Sequence, residues 1–461
     1  MRWFLAALGA CLLTAGTSGE PMRIDLQTAT TLAEANSFEL NKLRYGVKGE
    51  QRRYRLQLRD YLPQVSLNYS DSKTVQYFAP DSRDISLSAA LQQPLFRGGR
   101  TRIARQIQRS GILLQQQGVE ERRQSLLDEC FTRFHSYLIE EQKLALLEEA
   151  RGLGEAQLEI ARVELRIGTS REVDYLETQL QLKELEQRIL NAHAGLEEAA
   201  YALKLLLGLE PGRSIQLAGA IDRDYAGLVL RGTPQTYLSL AIQNNLEAAQ
   251  AHFEVAQNRA RVRLSQSSWI PNVSMQASAS MSGSDYPLQD PGYSLSLIFE
   301  LPYEWLPLKT TLSLSNTTHR QYGQSETGSA PLVQDLGFLV DRDIARLELQ
   351  ASLEARDKLF RDLEFNVERT LKAHRREIRN LQLLRETVQL RERQLKILET
   401  EVEVGQAKRI DYVEAQNELL DRKLELLEAV LNLILIERSF ERLLGLDIGG
   451  LAELEAAGDY P

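Results

Sequence analysis

Two stretches of the chain, IGTSREVDYLETQ at 167–179 and VGQAKRIDYVEAQ at 404–416, are near copies of each other. Gly168 aligns with Gly405, Asp174 with Asp411, Tyr175 with Tyr412, Glu177 with Glu414 and Gln179 with Gln416. Charged and apolar positions alternate in step, so composition alone does not explain the match. A duplicated segment is evidence of a duplicated fold. The same spacing joins LLGLE (206–210) to LLGLD (443–447). A second spacing joins Leu32, Ala33 and Asn36 to Leu240, Ala241 and Asn244, and Leu62-Pro63 to Ile270-Pro271. The chain therefore divides into repeat 1 (20–212), a linker (213–233), repeat 2 (234–450) and a tail (451–461), after a leader at 1–19. Repeat 2 carries an excess assigned to an insert at about 302–338.

Each repeat has the same internal order. A helix over 28–60 or 234–268 stops at Leu62-Pro63 or Ile270-Pro271, because the residue before proline is pushed out of the helical region. Two short segments of period two follow, a strand pair at 64–92 and another at 272–301. Val65, Leu67 and Tyr69 share one face, as do Ile85, Leu87 and Ala89. Ser66, Ser86, Ser88, Ser274, Ser278, Ser294 and Ser296 make the opposite face small and polar. Residues 70–83 and 282–292 are rich in turn formers and read as hairpin loops.

The period then lengthens to three and four. Leu126, Cys130, Phe134, Tyr137 and Leu138 sample one tract (100–165). Leu381, Leu384, Val388, Leu395 and Leu398 sample the other (341–403). Such helices would reach roughly 90 Å, and that length is sustained by helix–helix packing. Gly168 and Gly405 fall where a helix must reverse, which suits a residue that adopts positive φ.

The leader has the make-up of a secretory signal peptide: Arg2, an apolar run at 3–13, and small residues to Gly19. Cleavage after Gly19 is one reading; Leu8-Gly9-Ala10-Cys11 offers another, with lipidation at Cys11. No other segment is long and apolar enough to span a bilayer as a helix. The net charge of −9 argues against a nucleic acid partner. The five histidines are dispersed and form no metal-ligand spacing. No phosphate loop or nucleophile motif is present, so neither an enzyme nor a cofactor is expected.

A strand with one apolar and one small polar face fits a wall between lipid and water. Four strands cannot close a barrel alone, and open edges are not tolerated in a bilayer, so the pattern demands an oligomer. The competing class is a periplasmic coiled-coil scaffold, which would have no need of the strands.

Taken in order and in duplicate, Leu62-Pro63, QPLFRGGR (93–100), the turn RIGTSREVDYLETQ (166–179), its copy at 403–416 and the closing Leu-Gly-Leu resemble the TolC-type outer membrane efflux protein family. The resemblance covers nearly the whole mature chain. It implies a mixed α/β membrane protein: a homotrimer with four strands per chain in one outer membrane β-barrel, continued by a periplasmic α-helical coiled-coil tunnel. It implies a passive exit duct for efflux or type I secretion, served by an inner membrane pump and a periplasmic adaptor (membrane fusion) protein, and set in outer membrane lipid. Tyr303 and Trp305 suit the lipid headgroup level.

By the same resemblance Arg166, Gly168, Arg171, Gly405, Lys408 and Arg409 form the tip that docks the adaptor, and Asp411, Glu414 and Asp174 line the aperture. The family's closure uses a tyrosine three residues before the second glycine and an arginine two residues after it. Val402 and Ala407 stand there in this chain, so a looser or a differently held aperture is expected.

Overall fold

The computed structural model describes residues 22–56, 59, 62–75, 77, 80–222, 224–266, 270–303, 306–316, 322–329 and 337–457. The leader, Cys11 and Trp305 lie outside them. In chain order the first half holds β1 (Met22–Ile24), α1 (Leu26–Asn36), α2 (Phe38–Leu56), β2 (Gln64–Thr74), β3 (Ser82–Phe96), α3 (Arg100–Ile167) and α4 (Glu172–Leu207). After β4 (Ile215–Leu217) the second half holds α5 (Pro234–Asn244), α6 (Leu246–Gln266), β5 (Asn272–Gly283), β6 (Asp290–Tyr303), β7 (Leu306–Asn316), β8 (Tyr322–Ser329), α7 (Gly337–Glu403), α8 (Arg409–Leu444) and α9 (Gly450–Ala457). The chain forms two compact units. The first comprises Met1–Asn41, Glu121–Ala241 and Leu363–Pro461; the second comprises Lys42–Glu120 and Ile242–Asp362.

The second unit holds the sheet. Its order is β2-β3-β5-β6-β7-β8, and every neighbouring pair is antiparallel. Six strands replace the four expected from sequence. The difference lies in the insert: β7 and β8 form a second hairpin that pairs with β6 along Tyr293–Tyr303. The alternation at Leu312-Ser-Leu-Ser is legible as a further strand segment, but three prolines and scattered glycines at 302–338 leave an extended hairpin and a rim insert both open from sequence. The strands also advance into the expected loops, β2 to Thr74 and β3 from Ser82. Charge pairing carries them there: Arg83 donates to both carboxylate oxygens of Asp71, at 3.0 and 2.7 Å.

In the first unit, short parallel pairing of β1 with β4 draws the linker against the start of the chain. The linker therefore has structure that the sequence reading did not assign. The tail is partly helical as well, as α9. The single first helices expected at 28–60 and 234–268 are each interrupted, at Ser37 and at Asn245. Both are residue types whose side chains compete for backbone donors. Asn245 Oδ1 accepts the Glu247 N–H at 2.8 Å, and Ser37 adopts extended backbone at ψ 110°.

The core of the first unit gathers Tyr237, Leu240, Val367, Leu371, Phe440 and Leu444, all nearly or fully buried. Cys130 is also fully buried, and burial pushes its thiol up to about 11, so it acts as a small apolar side chain. Among the described residues no helix is long and apolar enough to cross a membrane.

Candidate functional site

Both hairpin tips lie in the first unit and are built alike. The last turn of α3 closes with Gly168 N–H donating to Leu165 O at 3.1 Å and Thr169 N–H to Glu164 O at 3.0 Å. The last turn of α7 repeats this: Gly405 N–H donates to Val402 O at 3.1 Å and Gln406 N–H to Glu401 O at 2.8 Å. This pair of bonds is the Schellman termination, which needs a left-handed residue after the helix. Gly168 sits at φ +85° and Gly405 at φ +79°.

The flanking charges are distributed unequally. Arg166, Arg171 and Lys408 are exposed. Arg409 instead reaches across to the other hairpin. Its guanidinium donates to Glu164 at 2.6–3.0 Å and to Gln157 Oε1 at 2.7 Å. Only 16% of the Arg409 side chain and 29% of the Glu164 side chain are exposed, so the pair is a planar, partly desolvated clamp. It ties the start of α8 to the end of α3. Sequence reasoning missed Glu164 because its partner lies 245 positions away.

Asp174 receives two hydrogen bonds from Arg171 at 3.2 Å, and Lys408 Nζ lies 3.8 Å off. The Arg171 guanidinium beside it holds its carboxyl below the usual carboxylate range, aided by Lys408. Asp411 accepts the Lys408 backbone N–H at 3.2 Å, closing the first turn of α8. Its side chain and that of Glu414 are exposed. Further along, Asn417 bonds Gln181 and Arg188 pairs with Asp421, so α4 and α8 are linked beyond the tips.

The other end of α8 carries buried carboxylates. Glu437 is 5% exposed. It accepts the Tyr225 hydroxyl and the Leu228 N–H (2.8 Å), and His374 Nε2 lies 3.1 Å away. Burial, then the Glu437 charge, pushes the Tyr225 phenol well above its ordinary value. Glu455 likewise receives the Tyr237 hydroxyl and the Arg231 N–H. Buried charge persists only with such partners. Here Tyr225, Leu228 and Arg231 come from the segment that joins the two halves, His374 from α7 and Tyr237 from α5. The sequence reading singled out neither glutamate, and three of their partners lie in a segment read as a linker.

The sheet of the second unit is two-faced. On one side Leu91, Ala277, Leu295 and Leu314 lie in one register row with Val65, and Met275, Leu297 and Leu312 in the next. The other side carries Ser66, Ser88, Ser278, Ser294, Ser313 and Ser325. Some of these hydroxyls meet across strands, Ser278 with Ser294 at 2.6 Å and Ser313 with Ser325 at 2.9 Å. In the single chain β2 is exposed along its whole length, and Val65 and Leu67 are 71% and 72% exposed. Water does not favour such a surface. Among the described residues no group of histidine, cysteine and carboxylate side chains could hold a metal ion.

Two-faced strands and duplicated helical hairpins have counterparts among known proteins. The sequence pattern of the outer membrane efflux proteins matches residues 30–209 and 237–446, most of the chain. The chain belongs to the outer membrane efflux protein family. Its fold is similar to that of the transmembrane channel protein CusC (TM-score 0.76, 15% identity, 94% of this chain and 96% of CusC covered). It is also similar to the CmeC outer membrane channel of Campylobacter jejuni (0.71, 14%, 94% and 89%). The outer membrane protein VceC of Vibrio cholerae is a further match (0.73, 13%, 91% and 96%). No curated protein matches the chain in sequence. The family is one of channels, and the TolC-type resemblance read from the sequence agrees with it.

Proposed function

We propose that this protein is the outer membrane exit duct of a tripartite efflux or type I secretion assembly. It is a homotrimer. Strands pooled from three copies close a barrel with the leucine face toward lipid and the serine face toward water. The helices form a periplasmic tunnel whose far end is the pair of hairpin tips. Substrate delivered by an inner membrane pump passes through it, and a periplasmic adaptor docks at Arg166, Gly168, Arg171, Gly405 and Lys408. Arg409 serves this tip from within, as the clamp on Glu164, and Asp411 and Glu414 line the aperture. The duct has no energy source of its own and no catalytic site.

The observation that carries this reading is the sheet: an apolar face left bare beside a face of hydroxyls, with both edges unpaired among the described residues. In water such a sheet is an aggregation hazard. In a bilayer it is half of what a wall requires, and the other half is edge closure by further copies. A coiled-coil scaffold accounts for the helices and gives no reason for the sheet.

Planar bilayer recording tests the proposal. Protein extracted from membranes should insert and give discrete, long-lived conductance steps. Protein that leaves the membrane fraction without detergent and never conducts would overturn it.

A further inference from the structure

Resting on the trimeric duct argued above, we propose that β7 and β8 are wall strands, so that three copies close an eighteen-stranded barrel. In this arrangement β8 of one copy pairs with β2 of the next.

The first support is continuity of both faces. Leu312 and Leu314 of β7 extend the row positions of Leu297 and Leu295. On the opposite face Ser313 and Ser315 stand against Ser296 and Ser294, and Ser325 and Thr327 of β8 continue that hydroxyl surface. A hairpin folded away from the wall has no reason to reproduce the alternation in register.

The second support is the pairing itself. β7 occupies the free edge of β6 along eleven residue pairs, from Tyr293 to Tyr303. Over that span, all of β6 beyond its first three residues, the strand has no free edge to meet a neighbouring copy. The edges that remain are β2 and β8. Six alternating strands make those two run in opposite directions, which is what antiparallel closure between copies needs.

Polar residues on the outer face of β8 fit the same wall. On β2 the apolar stretch ends at Tyr69 and gives way to Asp71 and Lys73. On β6 and β7 it extends toward the helical end, to Phe299 and Leu308. The band thus steps toward the helices across the sheet, as it does when barrel strands tilt. The same step puts Gln324 and Glu326, opposite Leu314 and Leu312, at the outer rim of the band. Barrel diameter grows about linearly with strand number, so this mouth is about half again as wide as a twelve-stranded one. It leaves an aqueous passage for bulkier cargo.

Disulfide trapping in the native membrane tests the proposal. With Cys130→Ala as background, Ser325→Cys or Thr327→Cys is combined in turn with Ser66→Cys, Asn68→Cys and Ser70→Cys. A second series replaces the β8 cysteine by Ser294→Cys or Ser296→Cys on β6. Opposed Cβ atoms about 4 Å apart allow a disulfide. The proposal expects reducible dimers and trimers from the β8 series and none from the β6 series. It is overturned if the β6 series cross-links instead, or if neither does while the detergent-extracted protein is still a trimer. A monomer in detergent is a separate result, which fails the trimeric duct itself.

Discussion

Single residues decide how the hairpins and the joining segment are held. Glu437 receives a hydroxyl and a backbone N–H from 225–228 and faces His374. Glu437→Ala leaves these groups buried without an acceptor, at a cost on the order of 3 kcal/mol. Limited proteolysis should then cut within 213–233 at protease levels that spare the parent. At the tip, Arg409 and Glu164 form one bond system, so their effects should not add. Arg409→Ala and Glu164→Ala should each raise resting conductance, and the double variant should resemble either single one. A coupling of about 1–2 kcal/mol corresponds to a shift of roughly five- to thirtyfold in the open fraction. Asp174 sets a pH limit. Its carboxyl is held below the ordinary value by Arg171 and Lys408. The stabilisation is therefore complete above that ordinary value and is lost as pH falls through the depressed one. The difference in resting conductance between the parent and Asp174→Asn should stay constant from pH 7 to 5 and shrink only below about pH 4.

At the scale of elements, sequence periodicity carried the long helices and strands β2, β3, β5 and β6, because each presents a face of one repeating period; it missed β1, β4 and α9 and the breaks at Ser37 and Asn245. The long helical tracts around 100–165 and 341–403 correspond to α3 and α7. The glycine turns were legible because only one residue type adopts φ near +80° without strain. β8 was not legible: YGQSETGS has no apolar face, and its place in the sheet comes from pairing with β7. Long-range partners such as Glu164 for Arg409 were hidden for a related reason, since a single sequence shows spacing and not proximity. The two faces of the sheet make opposite predictions for a charge. Leu297→Arg, on the apolar face, should cost about 2–4 kcal/mol near the bilayer midplane and reduce assembled protein in outer membrane fractions. Ser296→Arg, on the hydroxyl face, should assemble normally and lower the conductance. Heat-modifiable gel mobility reads assembly, and bilayer recording reads conductance.

At the scale of the whole molecule, the proposed threefold symmetry would convert single carboxylates into rings. Asp411 and Glu414 are exposed, one helical turn apart at the start of α8. In the proposed trimer, three copies of each around one axis would raise the local cation concentration. Asp411→Asn combined with Glu414→Gln should shift the reversal potential in a salt gradient toward zero, with trimer assembly unchanged. An unaltered reversal potential would place these carboxylates away from the conduction path.

The most direct test of the central claim is single-particle imaging of the protein extracted from membranes in detergent. The account predicts threefold particles with a strand-walled end inside the detergent belt and helical hairpin tips at the opposite end. A monomer, or an oligomer whose strands lie outside any detergent belt, would contradict it.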